Sequence, residues 1–155
     1  MQIQSTRFGT IEYGDEDTII VRDGLLGFPN CTQFLVINHK EGSAFRWLQS
    51  LEEPDVAFLA IDPAKFTAEY SPELPTAAAA ALELGDDTPR LVYALVSIPP
   101  GMPSEMTANL AGPLVINAEK RLAAQVVVED TRWSTRHRIL DEISTLAAIP
   151  EEAAS

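Results

Sequence analysis

The chain has 155 residues, 46% of them hydrophobic, which is enough for one domain with its own core. Its formal net charge is −12, and residues 1–119 alone carry 17 acidic but only six basic side chains. Such a field repels nucleic-acid phosphates and attracts basic proteins, so we expect no direct binding of RNA or DNA. The acidity could equally serve solubility alone, which is a common role of surface charge.

Localisation follows from what the sequence lacks. Cys31 is the single cysteine, so no intrachain disulfide can form. The first residues do not follow the basic-then-apolar pattern of a signal peptide. No apolar run reaches the ~20 residues needed to cross a bilayer. We therefore expect a cytoplasmic protein with no membrane contact.

The first half of the chain alternates short apolar runs with turn residues. Gly24 and Gly27 suit backbone conformations that other residues avoid. The acidic segment 52–55 is a turn between the two central strands. The runs predict strands at 7–13, 18–21, 34–37, 44–51 and 56–61.

A helix is predicted to begin at Ser71 and to end before Gly85. Ser71 can cap the first turn, Pro72 suits the first helical position, and Gly85 suits the end. The apolar residues recur at a spacing of three or four, namely Leu74, Ala77, Ala78, Ala81 and Leu82. A second short amphipathic helix is predicted over 140–148.

The remaining predicted strands lie close together, at 90–98, 114–116 and 125–129. Proline, glycine and asparagine separate them, and the side chains of Asn109 and Asn117 favour turns. Eight or nine short strands with one or two peripheral helices predict a mainly β fold, a small β-barrel or closed antiparallel sheet.

Several segments, taken in order, resemble the FliW family of flagellar assembly factors. They are Thr6-Arg-Phe-Gly-Thr-Ile-Glu12, Asp23-Gly-Leu-Leu-Gly-Phe-Pro29, Phe45-Arg-Trp-Leu-Gln-Ser-Leu51, Pro54-Asp-Val-Ala-Phe58, Ile61-Asp-Pro63, Ser97-Ile-Pro99, Met106-Thr-Ala-Asn-Leu110 and Pro113-Leu-Val-Ile-Asn117. The resemblance covers residues 6–130, whereas 131–155 match loosely. It implies one domain over 1–155, a small β-barrel with a peripheral helix.

The resemblance also implies a function without catalysis or cofactor. FliW-type proteins bind CsrA, a small RNA-binding translational repressor, and antagonise it. They also bind flagellin, so that a switch of partners controls flagellin translation. Two alternatives stay open: a flagellin-specific export chaperone without CsrA regulation, and a small ligand-binding or enzymatic barrel.

The residues themselves give little support to an enzyme. Cys31 would need a base, and only His39 and His137 are candidates, so a structural cysteine is favoured. Two histidines and one cysteine do not make a zinc site, and the acids at 15–17 are too closely spaced for a calcium loop. The acidic turn 52–55 offers solvated carboxylates rather than a dry catalytic pair. Trp47 is predicted to be a core residue, with an interface role as the alternative.

The segment from Asp62 to Glu73 is the favoured interface, because aromatic anchors within an acidic rim suit a basic partner. The alternative is a loop packed by its own aromatic residues. The predicted protein-binding residues are Asp55, Asp62, Phe66, Glu69, Tyr70, Glu73 and Asn109. The basic residues Arg132, Arg136, His137 and Arg138 are expected to pair with acids of this chain.

Overall fold

The computed structural model describes residues 1–25, 27–38, 45–65, 70, 73–98, 101–102, 105–128, 130 and 132–139. Within these residues lie eleven strands and one α-helix. The strands are β1 Gln2–Ser5, β2 Gly9–Glu12, β3 Thr18–Val21, β4 Gln33–Asn38, β5 Phe45–Ser50, β6 Ala57–Ile61, β7 Arg90–Ser97, β8 Thr107–Ala108, β9 Leu114–Asn117, β10 Leu122–Gln125 and β11 His137–Arg138. The helix, α1, spans Thr76–Ala81, and 3-10 turns occupy Asp15–Asp17 and Pro63–Lys65.

Seven strands close into a barrel in the order β7-β6-β5-β4-β3-β10-β9, and β9 pairs back onto β7. Six of these seven pairings are antiparallel. The seventh, between β10 and β3, is parallel and sets Leu122 opposite Ile20. The predicted small closed β-barrel is confirmed, with this parallel pair as the one departure from an antiparallel sheet.

The barrel interior is filled by apolar side chains from all seven strands. Side chains alternate between the two faces of a strand, so every second residue points inward. The inward set comprises Ile19, Val21, Phe34, Leu48, Ala60, Tyr93, Leu114, Ile116 and Ala123. A packed interior of this kind is a core rather than a ligand chamber.

A second core covers the outer face of β5 and β6. Trp47 on β5 is only 4% exposed, which confirms the prediction that it is a core residue. Because this face is covered as well as the interior, β5 is buried along nearly its whole length. The cluster comprises Phe45, Trp47, Leu59, Ile61, Tyr70, Ala94, Ile98, Met106, Ala108, Leu110 and Ile139.

The N-terminal hairpin, β1 and β2, packs on this outer face through a buried amide. Gln49 on β5 accepts a hydrogen bond of 2.7 Å from the Ser5 hydroxyl. Its Nε2 donates to the carbonyls of Ser50, Pro54 and Val56. Phe8 adds an edge-to-face contact with Trp47, with ring centroids 5.5 Å apart. The sequence pattern predicted one strand over 7–13 here, whereas the chain turns at 6–8 and pairs residues 2–5 with 9–12.

A bulge interrupts the partner of β7. Val96 lies opposite Ala108, whereas Tyr93 lies opposite Leu114. Two residues of β7 are therefore faced by five residues, 109–113, three more than regular pairing allows. The Asn109 Oδ1 accepts backbone N–H bonds from Ala111 and Gly112, at 3.1 and 2.8 Å. This confirms the predicted turn-forming role of Asn109.

The helix is shorter than predicted. Pro75 is its N-cap residue with ψ 144°, so the chain is still extended there. Ser71 and Pro72 lie outside the described residues. At the other end Leu82 is the C-cap, and Glu83, at φ 55°, takes the left-handed position that was expected of Gly85. The buried Asn117 donates to the carbonyls of Leu82 and Glu83 and so joins this helix end to β9.

The strand predicted over 125–129 is displaced. β10 occupies Leu122–Gln125, because these residues pair with both β9 and β3. Tertiary pairing outweighs the β propensity of the valines at 126–128. The helix predicted over 140–148 lies outside the described residues.

We expect Gly24→Ala to destabilise the fold by about 2–4 kcal/mol, since it combines backbone strain with a steric clash. Gly24 has φ 69°, and an added Cβ would lie 2.6 Å from the Pro29 Cα. Gly27 is the matched control, because it has φ 86° but no described atom within 4 Å of an added Cβ. Gly27→Ala should cost only about 1 kcal/mol. Urea unfolding measures both losses. Equal losses of unfolding free energy in Gly24→Ala and Gly27→Ala would contradict the steric clash at Gly24.

Glu52 predicts a pH dependence of stability. Burial of its carboxylate opposes ionisation, but hydrogen bonds from the Thr32 hydroxyl, Thr32 N–H and Gln33 N–H outweigh it and hold the pKa below its ordinary value of 4.5. A lowered folded-state pKa stabilises the fold above pH 4.5, and this stabilisation is lost as the pH falls through the folded value.

Glu52→Gln should therefore lower the free energy of unfolding at pH 7. The difference in this free energy between the variant and the unaltered chain should become smaller as the pH falls below 4.5. The measurement is urea unfolding of both chains over this pH range. The exposed Glu73→Gln is the control and should show a smaller effect. A difference in unfolding free energy that does not change with pH would contradict the lowered pKa of Glu52.

Candidate binding surface

The acidic residues of the predicted interface differ in their surroundings. Asp55 and Glu73 are exposed. Asp62 is half-buried, and its Oδ1 accepts the backbone N–H of Ala64 at 3.0 Å, so this carboxylate fixes the turn after β6. Phe66 and Glu69 lie outside the described residues.

Tyr70 is not an exposed anchor, contrary to the sequence-based expectation. It is 9% exposed and belongs to the outer core. Its hydroxyl donates to the carbonyl of Leu110 at 2.6 Å, and its ring meets that of Trp133 edge-on at 4.8 Å. Burial raises the pKa of Tyr70 to about 12. Tyr70 thus stabilises the bulge through its hydrogen bond to Leu110, which lies 40 residues away in the sequence.

A groove of about 900 Å³ lies beside the bulge, and Asn109 lines it. The pairing of β6 with β7 covers residues 59–61 and 94–96. Ala57 and Phe58 at the start of β6, and Ser97 at the end of β7, lie beyond this pairing and line the groove. We call this feature the β6–β7 groove.

The rim of the β6–β7 groove combines exposed apolar and basic side chains. Phe28 is 38% exposed and Met102 is 52% exposed. Arg7 and Arg136 are exposed basic residues of the lining. The acidic lining residue Glu105 pairs with Arg138, with a distance of 3.2 Å between Nη2 and Oε1. Sequence reasoning missed the groove, because its residues come from eight separate segments between Arg7 and Arg136.

Within the part of the chain that the structure describes, the predicted pairing of the C-terminal basic cluster with acids of this chain is observed for Arg132 and Arg138. Arg132 contacts Asp130 at 2.6 Å and Arg138 contacts Glu105. Hydrogen bonding from Arg132 holds the pKa of Asp130 below its usual range. Arg136 differs, because it points to the groove instead of to an acid of the described residues.

The acidic side chains are mostly on the surface. Thirteen of the 16 aspartates and glutamates among the described residues are exposed. Between described residues, ion pairs involve Glu83, Glu105 and Asp130, and the one between Glu83 and Lys120 measures 2.9 Å. The negative field predicted from the composition therefore reaches solvent over much of the described surface.

Cys31 has the character of a structural thiol. It is 1% exposed, and its Sγ lies 3.2 Å from the Glu53 carboxylate. Burial raises the pKa of the thiol, with a further contribution from Glu53, so it stays protonated, the opposite of what a nucleophile needs. His39 lies outside the described residues. No group of three or more His, Cys, Asp or Glu within the described ranges could hold a metal ion.

One observation concerns membranes. Among the helices that the structure describes, none has the length and apolar character needed to span a bilayer.

Comparison with known proteins gives a consistent result. The model of the family described as "FliW protein" matches residues 2–139. The flagellar assembly factor FliW of Magnetococcus marinus is 39% identical over 155 residues, which cover 100% of this chain and 94% of that protein. The FliW of Moorella thermoacetica is 39% identical over 142 residues, covering 92% and 90% of the two chains.

A solved structure extends the similarity to three dimensions. A crystal structure of the flagellar assembly factor FliW superposes with a TM-score of 0.81 at 27% identity, covering 98% of this chain and 99% of that one. Flagellar assembly factors are not a class of enzyme, and the family implies protein partners related to the flagellum. Since the match spans the barrel, the hairpin and the bulge, the chain belongs to the FliW family of flagellar assembly factors.

Proposed function

We propose that this chain acts in the cytoplasm as a non-enzymatic flagellar assembly factor that binds a CsrA-type regulator and antagonises it. It binds flagellin in exchange, so that the switch of partners controls flagellin translation. Family membership, together with the exposed acidic surface, is the observation that carries this proposal. No cofactor and no direct nucleic-acid contact form part of it.

The acidic surface supports the first partner. A regulator that binds RNA carries basic surface, and opposite charge accelerates the encounter of two proteins. Once bound, an acidic neighbour also disfavours RNA on the regulator, because it repels phosphates. Asp55 and Glu73 are exposed members of the proposed interface, and Asn109 is the proposed contact at the end of β8.

The switch requires that binding of one partner disfavours binding of the other, and the difference in binding free energy then decides which partner is bound. Each tenfold difference between the two affinities corresponds to about 1.4 kcal/mol. No bond is made or broken. The filled barrel interior favours this proposal over a small ligand-binding barrel, because nine apolar side chains occupy the space that a ligand would need.

An export chaperone is the remaining alternative. Such a protein binds flagellin and leaves the regulator unaffected. Pull-downs with purified flagellin and purified CsrA-type regulator separate the two: the proposal requires that both are retained and that added flagellin releases the regulator. Retention of flagellin alone would favour the chaperone.

We expect the affinity for the regulator to fall clearly as salt rises from about 0.05 to 0.5 M, because the attraction between exposed charges is screened. Isothermal titration calorimetry at several salt concentrations measures this. An affinity that is independent of salt would reject the electrostatic part of the proposal.

A pair of substitutions tests the proposed acidic contacts. Asp55→Lys combined with Glu73→Lys should weaken regulator binding about tenfold or more, while the melting temperature stays nearly unchanged because both residues are exposed. The control is Asp15→Lys combined with Asp86→Lys, which changes the net charge equally at exposed positions outside the proposed interface. Equal weakening by both pairs would locate the effect in the overall charge rather than in these contacts.

A further inference from the structure

The β6–β7 groove is chemically unlike the rest of the surface. The chain carries a net charge of −12. Within the described part of the lining, however, the charged residues are Arg7, Arg136 and Glu105, and Arg138 offsets the last of these. The described part of the groove lining therefore carries more basic than acidic side chains, on a protein that is acidic as a whole. A basic partner would be drawn to other parts of the surface.

The apolar part of the lining is accessible as well. Phe28 packs edge-on against Phe58, with centroids 5.0 Å apart, and both rings line the groove. Met102 adds a flexible apolar side chain at the rim, of a kind that adapts to different partners. Exposed aromatic and methionine side chains of this kind are typical of protein interfaces.

Arginine placement adds specificity. The Arg7 guanidinium lies 4.6 Å from the centre of the Trp47 ring, in a cation–π contact. Arginine presents a planar set of donors that matches the two oxygens of a carboxylate. Thr107, Asn109 and Thr135 supply further polar groups to the lining.

We propose that the β6–β7 groove binds a peptide segment that carries both apolar side chains and carboxylates. The inference rests on the proposed function, because the segment belongs to the second partner, flagellin, and not to the basic regulator. Charge complementarity is the argument: the acidic exterior suits one partner, and the basic, apolar groove suits a segment of opposite charge. The two partners thus meet chemically different surfaces of one barrel, and these surfaces share Asn109 at the end of β8.

Arg136→Glu tests the inference with purified monomeric flagellin as the probe. Reversing this charge should weaken flagellin binding at least about tenfold, because a carboxylate would lose its charge-assisted contact and meet a like charge. Met102→Gln should weaken it as well, since Met102 is exposed and contributes apolar surface. Both variants should keep the melting temperature and the affinity for the CsrA-type regulator.

Arg22→Glu is the matched control, an exposed arginine outside the groove lining. It should change flagellin binding less than about twofold. Unchanged flagellin binding by Arg136→Glu and Met102→Gln would overturn the groove assignment and leave the proposed function standing. Failure of the unaltered chain to bind flagellin would reject the proposed function and the groove assignment with it.

Analytical ultracentrifugation tests whether the groove is instead occupied by a second copy of this chain. If the unaltered chain forms dimers that Arg136→Glu dissolves, the groove is an interface between copies of this chain, and the inference is wrong. A monomer in both cases, together with weakened flagellin binding, supports it.

Discussion

Strand β7 must pair along one edge with two different segments, and the carboxamide of Asn109 makes this possible. β9 continues the barrel from one half of β7, whereas β8 lies against the other half. The five residues between them fold back on the Asn109 side chain. Their backbone then holds distant parts of the chain: Leu110 accepts the Tyr70 hydroxyl and donates to Ser134, and Ala111 accepts the N–H of Val128. Closure of the barrel, the cover of the outer core and the walls of the β6–β7 groove all depend on this bulge.

The local sequence pattern was sufficient to predict a strand where the strand is apolar along its length and bounded by turn residues. β7 was predicted over 90–98 and is observed over 90–97, because Pro99 and Pro100 follow and the run itself favours strand. β10 was displaced for the opposite reason. Ala123 and Ala124 have weak strand propensity and pair only because β3 and β9 lie on either side of them. The helix start was misplaced since Pro72 and Pro75 both suit a first turn, and the sequence does not distinguish between them.

The binding surface was less accessible to sequence reasoning than the fold. An aromatic residue in an acidic segment reads as an exposed anchor, yet Tyr70 is buried because its hydroxyl finds a carbonyl on the bulge, far away in sequence. In the sequence, Arg136 could not be distinguished from the three other basic residues of the C-terminal cluster. Its neighbours pair with Asp130 and Glu105, and only the fold places Arg136 at the groove beside Arg7 and Phe28. The exposed acids, by contrast, were predictable, because charged side chains are almost never fully buried without a partner.

The parallel seam between β3 and β10 has a consequence for how the protein is made. It joins Ile20 to Leu122, and the Arg121 side chain crosses it to reach the Thr18 carbonyl, 103 residues apart in sequence. Strands β3 to β6 can associate as they leave the ribosome, since each pairs with its neighbour in sequence. The cylinder stays open until residue 122 has emerged, and such distant joins are slow to form. A nascent chain therefore presents an incomplete barrel until translation has passed residue 122.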